Sequence, residues 1–201
     1  MIWWLRVRMA AAVGAGLVLC MVLGPAGDSV KLPVPVLTGE RTFPLPLAFL
    51  LPLVPVCLVL QGHSRADTGL EQAAVRAVRH WDVAFMALCA GAALLAGAVE
   101  KTGAGRPLGL AMARDFAGYL GIALVVRAFA SVRAAAAAVA VFPFLCASFG
   151  VRAGRPAVWA WPLHDTASVS ASAQAGCLFT AGLAVTAWRE PRTRGHGVRG
   201  D

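Results

Sequence analysis

The sequence predicts an all-α fold: a polytopic membrane helix bundle of six transmembrane helices, N-in and C-in, with an apolar fold-back between helices five and six. Three observations carry that prediction. Six stretches nearly free of charge tile the 201 residues. Each approaches the roughly 20 residues, within a range of about 17 to 25, that a helix needs to cross about 30 Å of hydrocarbon. The chain is 59% hydrophobic and 14% charged, against about 25% charged residues in a soluble domain, and its mean hydropathy is +0.71. The connecting segments are too short to enclose a second core, so a single transmembrane domain over 1–201 is expected, with no separate catalytic domain.

The first span covers about 9–26, behind Arg6, Arg8 and the Trp3-Trp4 pair. A basic start and an apolar run also describe a secretory signal peptide. Here Gly24-Pro25-Ala26 is a poor small-x-small cleavage site and the run is long, so the span is expected to stay. The second span, about 42–62, contains Pro44, Pro46, Pro52 and Pro55. Each proline removes a backbone donor and crowds the preceding turn, so this helix is kinked or starts late. The third, about 83–99, is bracketed by Asp82 and Glu100. The fourth, about 114–130, is apolar only over 116–126, between Arg114-Asp115 and Arg127, and crosses if its end charges snorkel. Ser131-Val132-Arg133 predicts a tight turn into the fifth, about 134–151, whose alanine run 134–138 offers a closely packable surface. The sixth covers about 166–188, and 189–201 is a flexible basic tail.

Orientation follows from counting Lys and Arg on alternate sides. With both termini inside, the inner set is Arg6, Arg8, Arg65, Arg76, Arg79, Arg127, Arg133, Arg189, Arg192, Arg194 and Arg199, eleven residues. The outer set is Lys31, Arg41, Lys101, Arg106, Arg114, Arg152 and Arg155, seven residues, so the positive-inside rule favours N-in, C-in. Trp81 and Trp188 fall at inner span ends and Trp159 and Trp161 in the last outer loop, as an aromatic belt would place them.

Two connections stand out. Within the inner loop 61–82, residues 69–81 read as a short amphipathic helix: Leu70, Ala74, Ala77 or Val78, and Trp81 recur at helical spacing, leaving Gln72, Arg76, Arg79 and His80 to face outward. Such a helix either docks a cytoplasmic subunit or lies on anionic headgroups. In the outer loop 152–165, Trp159, Trp161 and Leu163 among Pro156 and Pro162 are too apolar for a solvated loop. They predict either a segment that dips back into the outer leaflet, where protein or water must cover its backbone, or a cap over the bundle.

Charges inside a span are costly and tend to mark pathways or pairs, which makes Arg114, Asp115 and Arg127 the candidate intramembrane polar residues; the plainer reading is that they mark span ends. His63, His80, His164 and His196 lie far apart, without metal-ligand spacing, and read as ordinary loop residues. Cys20, Cys57, Cys89, Cys146 and Cys177 all fall in predicted spans without paired spacing, so they read as small packing residues and not as a disulfide framework. Small residues four apart, Ala10 and Gly14 or Ala92 and Ala96, would let helices approach closely. The net charge of +8 does not point to nucleic acid, because the arginines stand singly between apolar stretches. Enzyme chemistry is not expected: Asp82, Glu100 and Asp115 are the acids nearest the spans, and none shares a helix face with a histidine or a second acid. P-loop, G-x-S-x-G and H-E-x-x-H patterns are missing. No metal or cofactor site is read. Ala, Gly, Val and Arg in abundance with little Lys fit a high-GC genome.

The layout of six spans, an amphipathic inner helix between spans two and three, and an apolar fold-back between spans five and six resembles the membrane subunit of ABC-2 type transporters. More narrowly, Ala113-Arg114-Asp115-Phe116-Ala117-Gly118-Tyr119-Leu120-Gly121 and Trp159-Ala160-Trp161-Pro162-Leu163 resemble small multi-pass proteins of high-GC Gram-positive bacteria. The resemblance implies a permease-like subunit in a bacterial cell membrane, homo- or heterodimeric, with no directly bound cofactor. It would be driven by ATP through a separate ABC ATPase that grips 69–82, with Leu70, Arg76, Arg79 and Trp81 as docking candidates. The alternative is a non-transporting accessory or structural multi-pass protein.

Overall fold

A computed structural model describes residues 8–37, 42–64, 75–152 and 155–188. Six helices account for most of them: α1 Ala10–Ser29, α2 Leu53–Ser64, α3 Val75–Ala104, α4 Leu108–Phe129, α5 Val132–Phe149 and α6 Val169–Trp188. With the 3₁₀ turn Leu47–Phe49 leading into α2, all six are long and apolar enough to cross a membrane. Two short antiparallel hairpins modify the all-α expectation: β1 Lys31–Pro35 with β2 Thr42–Pro46, and β3 Val151–Arg152 with β4 Arg155–Pro156.

The helices run alternately up and down. One end of the bundle, here called proximal, gathers the start of α1, the end of α2 and the start of α3, for Arg8 touches both Gly62 and Asp82. The opposite, distal end holds both hairpins, the α3–α4 connection and the start of α6. Both Arg8 and Trp188 therefore lie proximally.

Helix α4 is the axis. It packs against all five other helices, most extensively α6, then α3 and α5. In its most apolar window 78% of residues are buried, compared with 17–44% in the others. The reason lies in its small residues. Helices that are apolar all round associate through close van der Waals packing, which favours Gly and Ala at the seams. A side chain at Gly121 would collide with the backbone of Leu178 and Phe179 in α6, and one at Gly97 of α3 with the backbone of Gly109 and Leu110 in α4. Gly182 returns the contact to Gly121.

Several element boundaries differ from the sequence reading. The second span starts late, at Leu47, because 42–46 is strand: Pro44 and Pro46 lack the N–H a helix would use, while alternation buries Leu45 between partly exposed neighbours. Leu45, Val34 and Ala147 form a small second core that seats the β1–β2 hairpin on α5. The third helix runs on past Asp82 and Glu100 at both ends. Helix α3 runs 30 residues without a break, absorbing the second part of the segment read as a separate amphipathic helix over 69–81. The fourth begins six residues before Arg114, at Leu108. Ser131 is not part of a turn of three but the N-cap of α5, its hydroxyl accepting from the Ala134 N–H at 3.1 Å, so Val132 and Arg133 are already helical. Leu70 and the tail 189–201 lie outside the described residues.

Candidate functional site

Two polar clusters are built into this apolar bundle, one near each end. The distal cluster begins with Arg114 and Asp115. Because α4 starts at Leu108, they are its seventh and eighth residues, about 10 Å along the axis at roughly 1.5 Å per residue. Both are buried, Asp115 completely. The pair thus lies inside the helix and not at its start.

Arg114 bends alongside its neighbour so that Nε donates to Asp115 Oδ1 at 3.1 Å. Its other nitrogens reach out of the helix: Nη1 donates to the Asp165 carbonyl at 3.0 Å and Nη2 to the His164 carbonyl at 3.4 Å. A planar guanidinium with donors on several edges suits this task, which a lysine could not reproduce. Arg114 thus ties the segment before α6 to the central helix.

That segment is the one the sequence marked by Trp159, Trp161 and Pro162. It is not uniform. Trp159 is half exposed, whereas Trp161 and Pro162 sit in the 3₁₀ turn Trp161–Leu163 and are buried. The indole of Trp161 lies over Gly118, one turn beyond Asp115 on α4, where any side chain would strike its six-membered ring. It stacks on Phe142 of α5 at 5.9 Å between centroids and packs against Tyr119 at 5.3 Å. Tyr119 in turn donates its hydroxyl hydrogen to the Phe49 carbonyl at 3.2 Å. His164 Nε2 lies 3.0 Å from the Ala157 carbonyl, which can only accept, so Nε2 carries the hydrogen. Among the described residues, Asp115 Oδ2 and Trp161 Nε1 are buried without a hydrogen-bond partner.

The proximal cluster joins residues that the sequence left apart. Arg8 grips Asp82 of α3 with two bonds, Nε to Oδ1 at 2.9 Å and Nη2 to Oδ2 at 2.6 Å. His63, read as a loop residue, is instead a buried member of α2. Its Nδ1 lies 2.8 Å from the Val59 carbonyl, so that nitrogen bears the hydrogen, and its Nε2 faces Asp82 Oδ2 at 3.7 Å. The acid–histidine neighbourhood absent from any single helix face is thus assembled between α2 and α3, with Arg8 joining from ahead of α1. Met9 follows with a left-handed backbone, φ 53°, which costs a non-glycine residue about 1–2 kcal/mol and is held by the anchored Arg8 before it. The 74-residue separation of Arg8 and Asp82 left no local pattern to find.

Of the remaining candidates, Arg127 and Trp81 lie near the proximal cluster, the Arg127 charge acting on His63. Arg127 occupies the last turn of α4, partly buried, where a cation complements the helix C-terminus. Trp81 is half exposed beside the proximal cluster. Arg76 and Arg79 belong to the α3 backbone, with side chains outside the described set. No group of three metal-binding side chains forms among the described residues. The cysteines are free: Cys20, Cys89 and Cys146 are buried and Cys57 and Cys177 exposed, and Cys20 donates its thiol hydrogen to the Leu51 carbonyl at 3.1 Å.

Compared with family models, curated proteins and solved structures, the chain matches none of them. Its function has to be argued from its own geometry.

Proposed function

We propose that the chain is a six-span, N-in/C-in protein of the bacterial cell membrane that acts as the permease-like subunit of an ABC-2 type transporter. A separate ATPase would engage its inner, proximal end. The observation that carries this reading is the continuity of α3. At 30 residues it is about 45 Å long, about 15 Å more than the hydrocarbon core it crosses. Its first turns therefore project at the end where eleven of the basic residues are counted. A force applied to the projecting turns, which carry Arg76 and Arg79, would pass into the bundle along one rigid helix. The Arg8–Asp82 clamp at its base fixes α3 to α1 and gives that lever a fulcrum.

The test is purification of the tagged full chain from native membranes in mild detergent, with co-purifying proteins identified by mass spectrometry. An ABC-type ATPase is expected in stoichiometric amount and should be lost in Arg76→Glu/Arg79→Glu while membrane insertion is unchanged. Recovery without an ATPase, under conditions that preserve a known ATPase complex, overturns the reading.

A second reading, a non-transporting accessory or structural protein, draws on a different observation. Arg114 of the buried Arg114–Asp115 pair spends its donors on loop carbonyls, which is how a brace behaves.

A further inference from the structure

The distal end of the bundle contains a cavity of about 890 Å³, within the range of about 300–1,000 Å³ typical of small-molecule sites. It opens to the surface, and three elements supply its charged lining, the end of α1, the α3–α4 connection and the segment that Arg114 ties down, while the 3₁₀ turn before α2 adds Phe49. Its charged groups are Asp28, Arg106 and Asp165, one from each element. None of the three side chains forms an ion pair or hydrogen bond with another described residue. Opposite charges that share a cavity without pairing leave both signs available to a guest. Apolar surface from Phe49, Leu108 and Leu163 lines the same space, so the guest is amphiphilic.

The balance of groups narrows the chemistry. Two carboxylates face one guanidinium. His164, whose Nε2 is committed to the Ala157 carbonyl, has only Nδ1 left, an acceptor in the neutral ring. Acceptors therefore outnumber donors, which favours a cationic head that itself carries N–H groups. Arg106 supplies the counterpart for an oxyanion, a guanidinium being well matched to phosphate.

We infer that this distal cavity binds an amphiphile bearing a primary ammonium and a phosphate, the chemistry of a phosphoethanolamine headgroup, with the ammonium on Asp28 and Asp165 and the phosphate on Arg106. The inference rests on the six-span reading and is independent of any ATPase. Three headgroups separate the contributions. Phosphatidylethanolamine offers three N–H donors to the carboxylates. Phosphatidylcholine has the same charge and no N–H, and phosphatidylglycerol brings an anion and no cation to two carboxylates.

The experiment is native mass spectrometry of the delipidated full chain in detergent, titrated with these three lipids carrying identical acyl chains. Phosphatidylethanolamine is expected to bind about tenfold more tightly than either of the others, the gain from one charge-assisted hydrogen bond. Asp28→Asn/Asp165→Asn should bring phosphatidylethanolamine level with phosphatidylcholine, and Arg106→Gln should weaken both alike. These positions are exposed, so the variants should elute from gel filtration as the parent does. Soluble O-phosphoethanolamine distinguishes the source: displacement of the lipid at comparable concentration assigns the site to a soluble amine phosphate, and failure to displace assigns it to the lipid. Equal binding of the three lipids, or an ethanolamine preference that survives Asp28→Asn/Asp165→Asn, overturns the inference.

Discussion

Arg114→Met should be among the most damaging single substitutions in this chain. It removes the donor to Asp115 Oδ1 and the donors to the carbonyls of Asp165 and His164, and it leaves a fully buried carboxyl group without its cation. Breaking one side of a buried ion pair costs about 3–5 kcal/mol. For a domain of this size about 2–4 °C of melting temperature is lost per kcal/mol, so the midpoint should fall by roughly 6–20 °C. The companion Arg114→Met/Asp115→Leu should regain much of that loss, because replacing both members by apolar groups removes the stranded charge; what remains is the cost of the two orphaned loop carbonyls, about 1–3 kcal/mol each at most. The assay is thermal unfolding in detergent, followed by the fraction that remains monodisperse on gel filtration after heating. A fall below about 3 °C for the single variant, or a double variant as unstable as the single one, would refute the claim that Arg114 acts chiefly as counter-ion to Asp115.

The other predictions concern the two clusters and the seam between them. Asp82→Ala takes the bidentate carboxylate from the buried Arg8 guanidinium and should cost about 3–5 kcal/mol, measurable by the same heating assay; a neutral outcome would refute the claim that Asp82 is its chief counter-ion. Gly118→Leu places a side chain where the Trp161 ring lies and should destabilise by about 1–3 kcal/mol or more through overpacking, an effect that Gly118→Leu/Trp161→Ala should partly relieve. Trp161→Ala should loosen the segment over α5 and raise maleimide labelling of the buried Cys146 in a variant whose other four cysteines are serine; unchanged labelling would show that Ala160 and Gly150 shield the thiol without the indole. Ser131→Ala removes the α5 N-cap and should cost about 1 kcal/mol.

What could be read locally was the set of apolar runs. Helices α1, α5 and α6 lie within a few residues of their expected spans, since length and hydropathy are properties of consecutive residues. Helices run past the charges where those charges find partners. Asp82 reads as a span end on its own, but a bidentate arginine makes it tolerable within a continuous α3. Glu100 likewise sits inside that helix, its carboxylate against Gly109 of α4. The prolines of the second span signalled a kink or a late start, and the start is late, at Leu47; that 42–46 is strand shows only in its pairing with Lys31–Pro35. The distal cluster was half visible, because Arg114 and Asp115 interrupt an apolar run. The proximal one was invisible, since Arg8, His63 and Asp82 meet from three elements.

The sequence by itself determined that this protein is a bundle of six bilayer-length helices with little else, because the cost of exposing polar backbone to hydrocarbon leaves an apolar chain no other economy of hydrogen bonds. Only the tertiary structure decided which helix is central and which charges are partners. Centrality comes from glycines that must meet across seams, Gly121 with Gly182 and Gly97 with Gly109, and a buried charge is stable only beside a group that may lie far away in the chain. Both depend on pairings between distant residues, about which neighbouring residues carry no information.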